Sequence, residues 1–219
     1  MAARVHSAGG RGYNGYVRFI CSASILALVL LLSGCLGATT SISIEDDGSG
    51  EIKIDYRISK LVAYIGTENS PERYLSIPLS REDVESVVEE IPGTTLDRFD
   101  TEDETEDIVI SATIGFDSLD SLEALFLRID GPDLEFSVSE GKTAMSLAIY
   151  DGLETPADDT ISAMIRAFFS EYKLIWELEA PAPISSANGG SFDARVAGIE
   201  YATHDVLLSD TAVVWELEW

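Results

Sequence analysis

The sequence predicts a single α+β domain in which a curved antiparallel sheet, able to close toward a barrel, carries helices on one face. Three observations predict it. Apolar residues alternate at period two in pairs of segments joined by tight turns, as strands of hairpins do. Between those pairs the period switches to that of an amphipathic helix. Finally, strands and helices are interspersed but the strands are joined by hairpins and not by helical crossovers, which favours antiparallel pairing.

The elements follow in order. Ile42 and Ile44, then Ile52, Ile54, Tyr56 and Ile58, alternate with polar residues around Asp46-Asp47-Gly48-Ser49-Gly50, the clearest hairpin of the chain. Residues 59–65, with Gly66 after them, read as a short helix and its stop, followed by an irregular stretch around Pro71 and Pro78. Ser80 with Asp83 three residues on has the form of a capping box. Val84, Val87, Val88 and Ile91 then fall on one helical face until Pro92-Gly93 ends it. Ile108, Ile110, Ala112, Ile114 and Phe116 alternate again. At Leu119, Leu122, Leu125, Phe126 and Ile129 the spacing becomes helical, so a strand runs straight into a helix. Leu134, Phe136 and Val138, then Met145, Leu147 and Ile149, flank Glu140-Gly141-Lys142 as a second hairpin. Ile161, Met164, Ile165, Phe168, Phe169 and Tyr172 make a strongly amphipathic helix capped by Asp158 or Asp159. Strands are expected at 174–178 and 213–219, with further ones near 196–201 and 206–208. Trp-Glu-Leu-Glu occurs twice, at 176–179 and 215–218, as neighbouring strands in similar surroundings could show.

The N-terminus is of another kind. Arg4, Arg11 and Arg18 are its only charges, residues 19–32 are almost wholly apolar, and Leu32-Ser33-Gly34-Cys35 follows at once. A basic end that stays in the cytoplasm, an apolar stretch that enters the membrane and small residues before a cysteine make a signal peptide with a lipobox. The apolar run of 14 residues is short of the roughly 20 that span a bilayer, which disfavours an uncleaved membrane helix. The expected organisation is a cleaved signal peptide over 1–34, a lipidated Cys35 with a short tether over 35–40, and one globular domain over 41–219. This pattern resembles bacterial lipoproteins. The resemblance implies that Cys35 receives a diacylglyceryl thioether, becomes the mature N-terminus and holds the domain outside the cytoplasm on the cell membrane or the outer membrane. Five residues between Cys35 and the domain reach only about 17 Å, so the domain rides close to the lipid.

Charge and cysteine content exclude much else. Basic residues number 14 against 39 acidic ones, and with Arg4, Arg11 and Arg18 lying before the first carboxylate, 11 oppose 39 from Glu45 onward. Such a chain repels phosphate backbones and anionic lipid alike, which argues against nucleic acid as a partner. Cys21 falls in the discarded segment and Cys35 is consumed by lipid, which leaves no thiol for disulfides, zinc sites or nucleophilic catalysis. His204 is the one histidine after cleavage, with no Gly-x-Ser-x-Gly elbow, and reads as an ordinary histidine of a loop or strand. No nucleotide-binding loop is present, so no cofactor is expected.

Three acidic clusters invite a calcium or glycosidase reading: Asp46-Asp47, the six carboxylates of 100–107, and Asp158-Asp159. None has the order of an EF-hand, and each has a plain alternative as hairpin turn, solvated loop and helix cap. No metal ligand or catalytic carboxylate is singled out. All three tryptophans, Trp176, Trp215 and Trp219, lie near the end with Phe192 and Tyr201. They could form a platform for sugar rings, but period-two spacing places Trp215, Leu217 and Trp219 on one sheet face as core.

Several local patterns together resemble the LppM-type family of bacterial lipoproteins: the lipobox, the hairpin Ile44-Glu45-Asp46-Asp47-Gly48-Ser49-Gly50-Glu51-Ile52, the strand running into a Leu-rich helix over 108–127, and an ending with Ala180-Pro181-Ala182-Pro183-Ile184, Asn188-Gly189 and Val213-Val214-Trp215. The resemblance implies a curved or barrel-like α+β domain of ligand-binding appearance, without catalytic residues. Unlike many such proteins, the sequence shows no apolar helix after Trp219.

The expectation is therefore a non-catalytic, lipid-anchored envelope protein with an apolar pocket for a lipid or other hydrophobic ligand. Its wall candidates are Ile54, Tyr56, Phe116, Phe168, Phe169 and Trp176. The alternatives are an acidic module that contacts a basic envelope protein, and a glycan-binding or glycan-cleaving protein.

Overall fold

The computed structural model describes residues 36–60, 80–129, 131–153 and 155–219. The expected signal peptide, Cys35, most of the short helix expected over 59–65 and the stretch around Pro71 and Pro78 lie outside these residues. The described chain forms eleven strands and four helices in a single α+β domain. In order they are β1 (Leu36–Ile44), β2 (Gly50–Ser59), α1 (Arg81–Glu89), β3 (Thr94–Asp103), β4 (Asp107–Phe116), α2 (Leu119–Arg128), β5 (Asp133–Ser139), β6 (Lys142–Tyr150), α3 (Asp159–Phe169), β7 (Lys173–Glu179), β8 (Ser186–Ala187), β9 (Ser191–Asp193), β10 (Val196–Ala202), α4 (Thr203–Leu207) and β11 (Val213–Glu218).

Two open sheets share one core, and neither closes into a barrel. The larger has the order β3-β4-β2-β1-β7-β10-β9, the smaller β5-β6-β11-β8. Every pairing is antiparallel except β1 with β7, which run side by side with Thr40 opposite Trp176 and Ile42 opposite Leu178. That pair puts the first strand in the middle of the larger sheet, flanked by β2 and β7. Residues 36–40, expected as a tether, are therefore strand, and Leu36 already pairs with Ile58. The inward alternation of β1 begins at Ala38, although the small residues Ala38 and Thr40 make it plain in sequence only from Ile42 onward.

Strand register lines up the apolar residues in rows across the larger sheet. Ile114, Ile52, Ile42, Leu178 and Ala197 form one such row, all buried. The smaller sheet contributes Met145, Leu147, Trp215 and Leu217, and α2 brings Leu122, Leu125 and Phe126 into the same core with Val84 and Val88 of α1. The outer face of the larger sheet, formed by the alternate positions of its strands, is largely polar. Lys53 pairs with Asp55 at 3.0 Å, and Ser41 donates to Glu177 at 3.0 Å.

Local chemistry sets the ends of the helices. Ser80 and Asp83 form the expected capping box of α1. At its far end the Thr94 hydroxyl donates to the Val88 and Ile91 carbonyls, at 2.9 Å each. Gly93 adopts φ +83°, and a Cβ there would also collide with the Asp117 carboxylate, so the turn requires glycine. Ser118 caps α2, and the Ser121 hydroxyl reaches the Pro92 carbonyl at 3.0 Å, clasping α2 to the end of α1. Asp158 caps α3 by accepting from the Thr160 and Ile161 amides at 2.9 Å. Glu140 and Gly141, both at positive φ, turn the β5–β6 hairpin.

Three elements differ from expectation. The region 94–103, whose end reads as an acidic loop, is strand β3, paired to β4 on one side only and hence free to expose its charges. Residues 203–207, where a strand was expected nearby, form α4, too short to show a helical period. The two Trp-Glu-Leu-Glu strands are not neighbours: one lies in each sheet.

Candidate functional site

The row next to the closed one just described contains small residues. Ala112, Ile54, Thr40, Trp176 and Ile199 lie side by side, followed by Ile110, Tyr56, Ala38, Leu174 and Tyr201. Because Ala38, Thr40 and Ala112 leave the middle of the sheet low while Ile54, Tyr56 and Trp176 stand up around them, the helices above cannot fill the space. The result is an apolar cavity of about 320 Å³. Its roof is Val84 and Val87 of α1 and Leu125, Phe126 and Ile129 of α2, with Gly131, Pro132 and Ile149 at the side. The Phe126 and Trp176 rings meet at 6.0 Å between centroids, in a tilted arrangement. A volume of this size is at the low end of the range for small-ligand sites.

Only two side-chain hydroxyls face this lining, those of Thr40 and Tyr56, both residues buried. Burial pushes the Tyr56 phenol well above its ordinary pKa, and the Asp83 carboxylate adds to the effect. The group therefore stays protonated at neutral pH. Chemically the cavity can bury hydrocarbon and offers little to hold a charged head inside.

Of the six wall candidates, Ile54, Tyr56 and Trp176 line the cavity. Phe116 is buried further along β4, outside the lining. Phe169 is buried at the end of α3, its ring 6.4 Å from that of Tyr172, and Phe168 beside it is 50% exposed. Both phenylalanines of α3 thus lie away from the cavity. Sequence reasoning missed Ala38, Thr40 and Ala112, whose small size makes the space. The only signal was their inward parity, and it acquires meaning once the strand order is known.

The remaining features resolve into structure. Asp47 accepts from the Ser49 amide and hydroxyl in the β1–β2 turn, which holds its carboxyl below the usual range. Around 100–107, Arg57 bridges to Glu104 at 3.0 Å and to Asp107 at 3.5 Å, and Lys60 pairs with Asp103. Glu90 and Glu218 are held below the carboxylate range by Arg128 and by Lys142 with Ser185, a direction opposite to that of a general acid. His204 sits on α4, its Nδ1 3.4 Å from the Phe169 carbonyl and its Nε2 3.4 Å from Asp205. Among the described residues no three His, Asp or Glu converge as a metal site, and no helix is long and apolar enough to cross a membrane. The aromatic residues near the end do not form a sugar platform. Trp176 and Trp215 are buried in different sheets, Trp219 packs edge-on to Phe136, and Phe192 is exposed on β9.

Fold and site together define an open two-sheet α+β domain with one apolar cavity over its central strands. No protein-family profile matches the chain, and no curated protein matches it in sequence. Among solved structures it is similar to the folded domain of the LppM protein of Mycobacterium tuberculosis, determined by NMR. The identity is 13% and the TM-score 0.49, over 84% of this chain and 89% of that one.

Proposed function

We propose that the protein is a non-catalytic, lipid-anchored component of the bacterial envelope that binds a lipid or other hydrophobic ligand in the cavity over β1, β2, β4 and β7. It is held to the cell membrane or the outer membrane by acyl groups on Cys35, with the domain outside the cytoplasm. The observation that carries the binding is the cavity itself: apolar walls, a floor of small residues and, among the described residues, no charged side chain in the lining. Burial of hydrocarbon drives binding there, and the hydroxyl of Tyr56 or Thr40 orients an ester or alcohol.

Native mass spectrometry of residues 36–219 made in a bacterial host tests this. A lipid should co-purify at near-unit stoichiometry and be lost in Ala112→Leu, which fills the floor. A mass that stays ligand-free after incubation with envelope lipids would overturn the reading. In that case the polar outer face of the larger sheet, with Asp55, Glu177 and Glu179 exposed or half-exposed, supports the second reading. That reading is an acidic module for a basic envelope protein, recognised by binding that weakens with salt.

A further inference from the structure

The end of the larger sheet where the chain enters from Cys35 has a second feature that the cavity does not explain. Helix α3 buries only Ile165 and Phe169, and its main neighbour is α4. One turn apart on another face, Met164 and Phe168 are 47% and 50% exposed, with Ile161 half-buried on the turn before. Position explains what such a ridge is for. The Phe169 ring meets Tyr172, and the Tyr172 ring lies so close to Gly37 that a Cβ there would come within 3.2 Å of it. The Tyr172 carbonyl also accepts from the Thr203 amide, which fixes α4 at the same end. The exposed end of α3 therefore stands beside the second residue after the lipidated cysteine. Since Leu36 is already paired in β1, no slack separates the domain from its anchor.

We propose that Met164 and Phe168 insert into the surface of the bilayer that holds the Cys35 anchor, fixing the domain's orientation on it. The inference rests on the anchor reading above. The contact is apolar in kind, because a domain with 11 basic against 39 acidic residues cannot dock on anionic lipid by charge. Phe192 and Val196, exposed on the larger sheet, sit at its opposite end, where Val196 pairs with Glu179, while the exposed Leu127 and Val138 belong to α2 and β5.

The full-length lipidated chain in phosphatidylcholine vesicles provides the test. With Cys35 blocked as a thioether, a cysteine introduced by Phe168→Cys is the one free thiol of the mature protein and takes a polarity-sensitive fluorophore. Phe192→Cys is the control, and Met164→Cys is the second probe should Phe168→Cys not fold. The expected result is blue-shifted emission, quenched by spin-labelled phosphatidylcholine, at 168 and 164 but not at 192. Labels at 168 and 192 that are equally water-exposed while the protein floats with the vesicles would overturn the inference and leave the anchor standing. A label at 168 that is shielded but unquenched by spin-labelled lipid would overturn it in favour of contact with a second copy. Failure of the chain to float, with no difference between it and Cys35→Ser, would remove the anchor and the inference together.

Discussion

The same four residues, Trp-Glu-Leu-Glu, occur in two strands and meet different fates. In β7 and in β11 alike, tryptophan and leucine point inward and the glutamates face out. Trp215, in the smaller sheet, is 1% exposed and enclosed on all sides, and its indole N–H has no hydrogen-bond partner among the described residues. Trp176, at 7%, stands in a central strand with Phe126 against one side of its ring and the cavity against another. Local sequence determines which face a side chain takes, because the strand period is two. What that face meets is decided by strand order and by the size of residues on neighbouring strands, here Ala38, Thr40 and Ala112.

The largest expected effect separates the two tryptophans directly. Trp215→Ala opens a hole in a closed core and should lower stability by about 3–5 kcal/mol, whereas Trp176→Ala extends a space that already exists and should fall at or below about 3 kcal/mol. Urea unfolding of both variants checks this, and equal losses would remove the distinction drawn here. Next, Ala112→Leu places new methyl groups in the cavity without displacing packed atoms. It should leave stability within about 1 kcal/mol of the parent or raise it. Ala197→Leu, in the adjacent closed row, should destabilise by roughly 1–3 kcal/mol, as overpacking does.

A smaller effect concerns the unpaired indole. Trp215→Phe loses apolar contact but also removes a buried donor whose missing partner is worth about 1–3 kcal/mol. The two partly cancel, so the variant should unfold far closer to the parent than Trp215→Ala does. The smallest effect lies on the outer side of the same tetrapeptide. Lys142 and Ser185 hold the Glu218 pKa below its ordinary value of 4.5. Its contribution is therefore present above that value and lost as pH falls through the lower folded one. The stability difference between the parent and Glu218→Gln should be flat at neutral pH and shrink in that acid range. A difference that persists unchanged below it would assign the effect to something other than the charge.

Much of the architecture was readable from local chemistry. Both principal hairpins, the Ser80–Asp83 capping box, the Asp158 cap and the strand that runs into α2 each depend on residues near one another in sequence. Less was readable where a distant neighbour decides. β3 hides its strand character because an edge position lets Asp97, Arg98, Asp100 and Glu102 face water. The α4 turn is too short for its period to register. Adjacent phenylalanines of α3 lie on two apolar faces of one helix, that of Ile165 and Phe169 and that of Met164 and Phe168, and which face is buried depends on what packs against it. The cavity is the extreme case. Half of its wall candidates were found as large inward residues, but the floor consists of small ones that draw no attention until β1, β2, β4 and β7 lie side by side.

The parallel pairing of β1 with β7 also imposes an order of events. A strand that starts at Leu36 can pair with β2 as a local hairpin but finds its other partner, residues 174–179, only when nearly the whole chain has been delivered, a long-range closure of the kind that slows folding. Until then one edge of β1 stays open. Afterwards Gly37 lies against Tyr172 and β1 is paired along both edges. The centre of the larger sheet is therefore completed late, and an edge that ends in its interior first waits unpaired for a strand near the far end of the sequence.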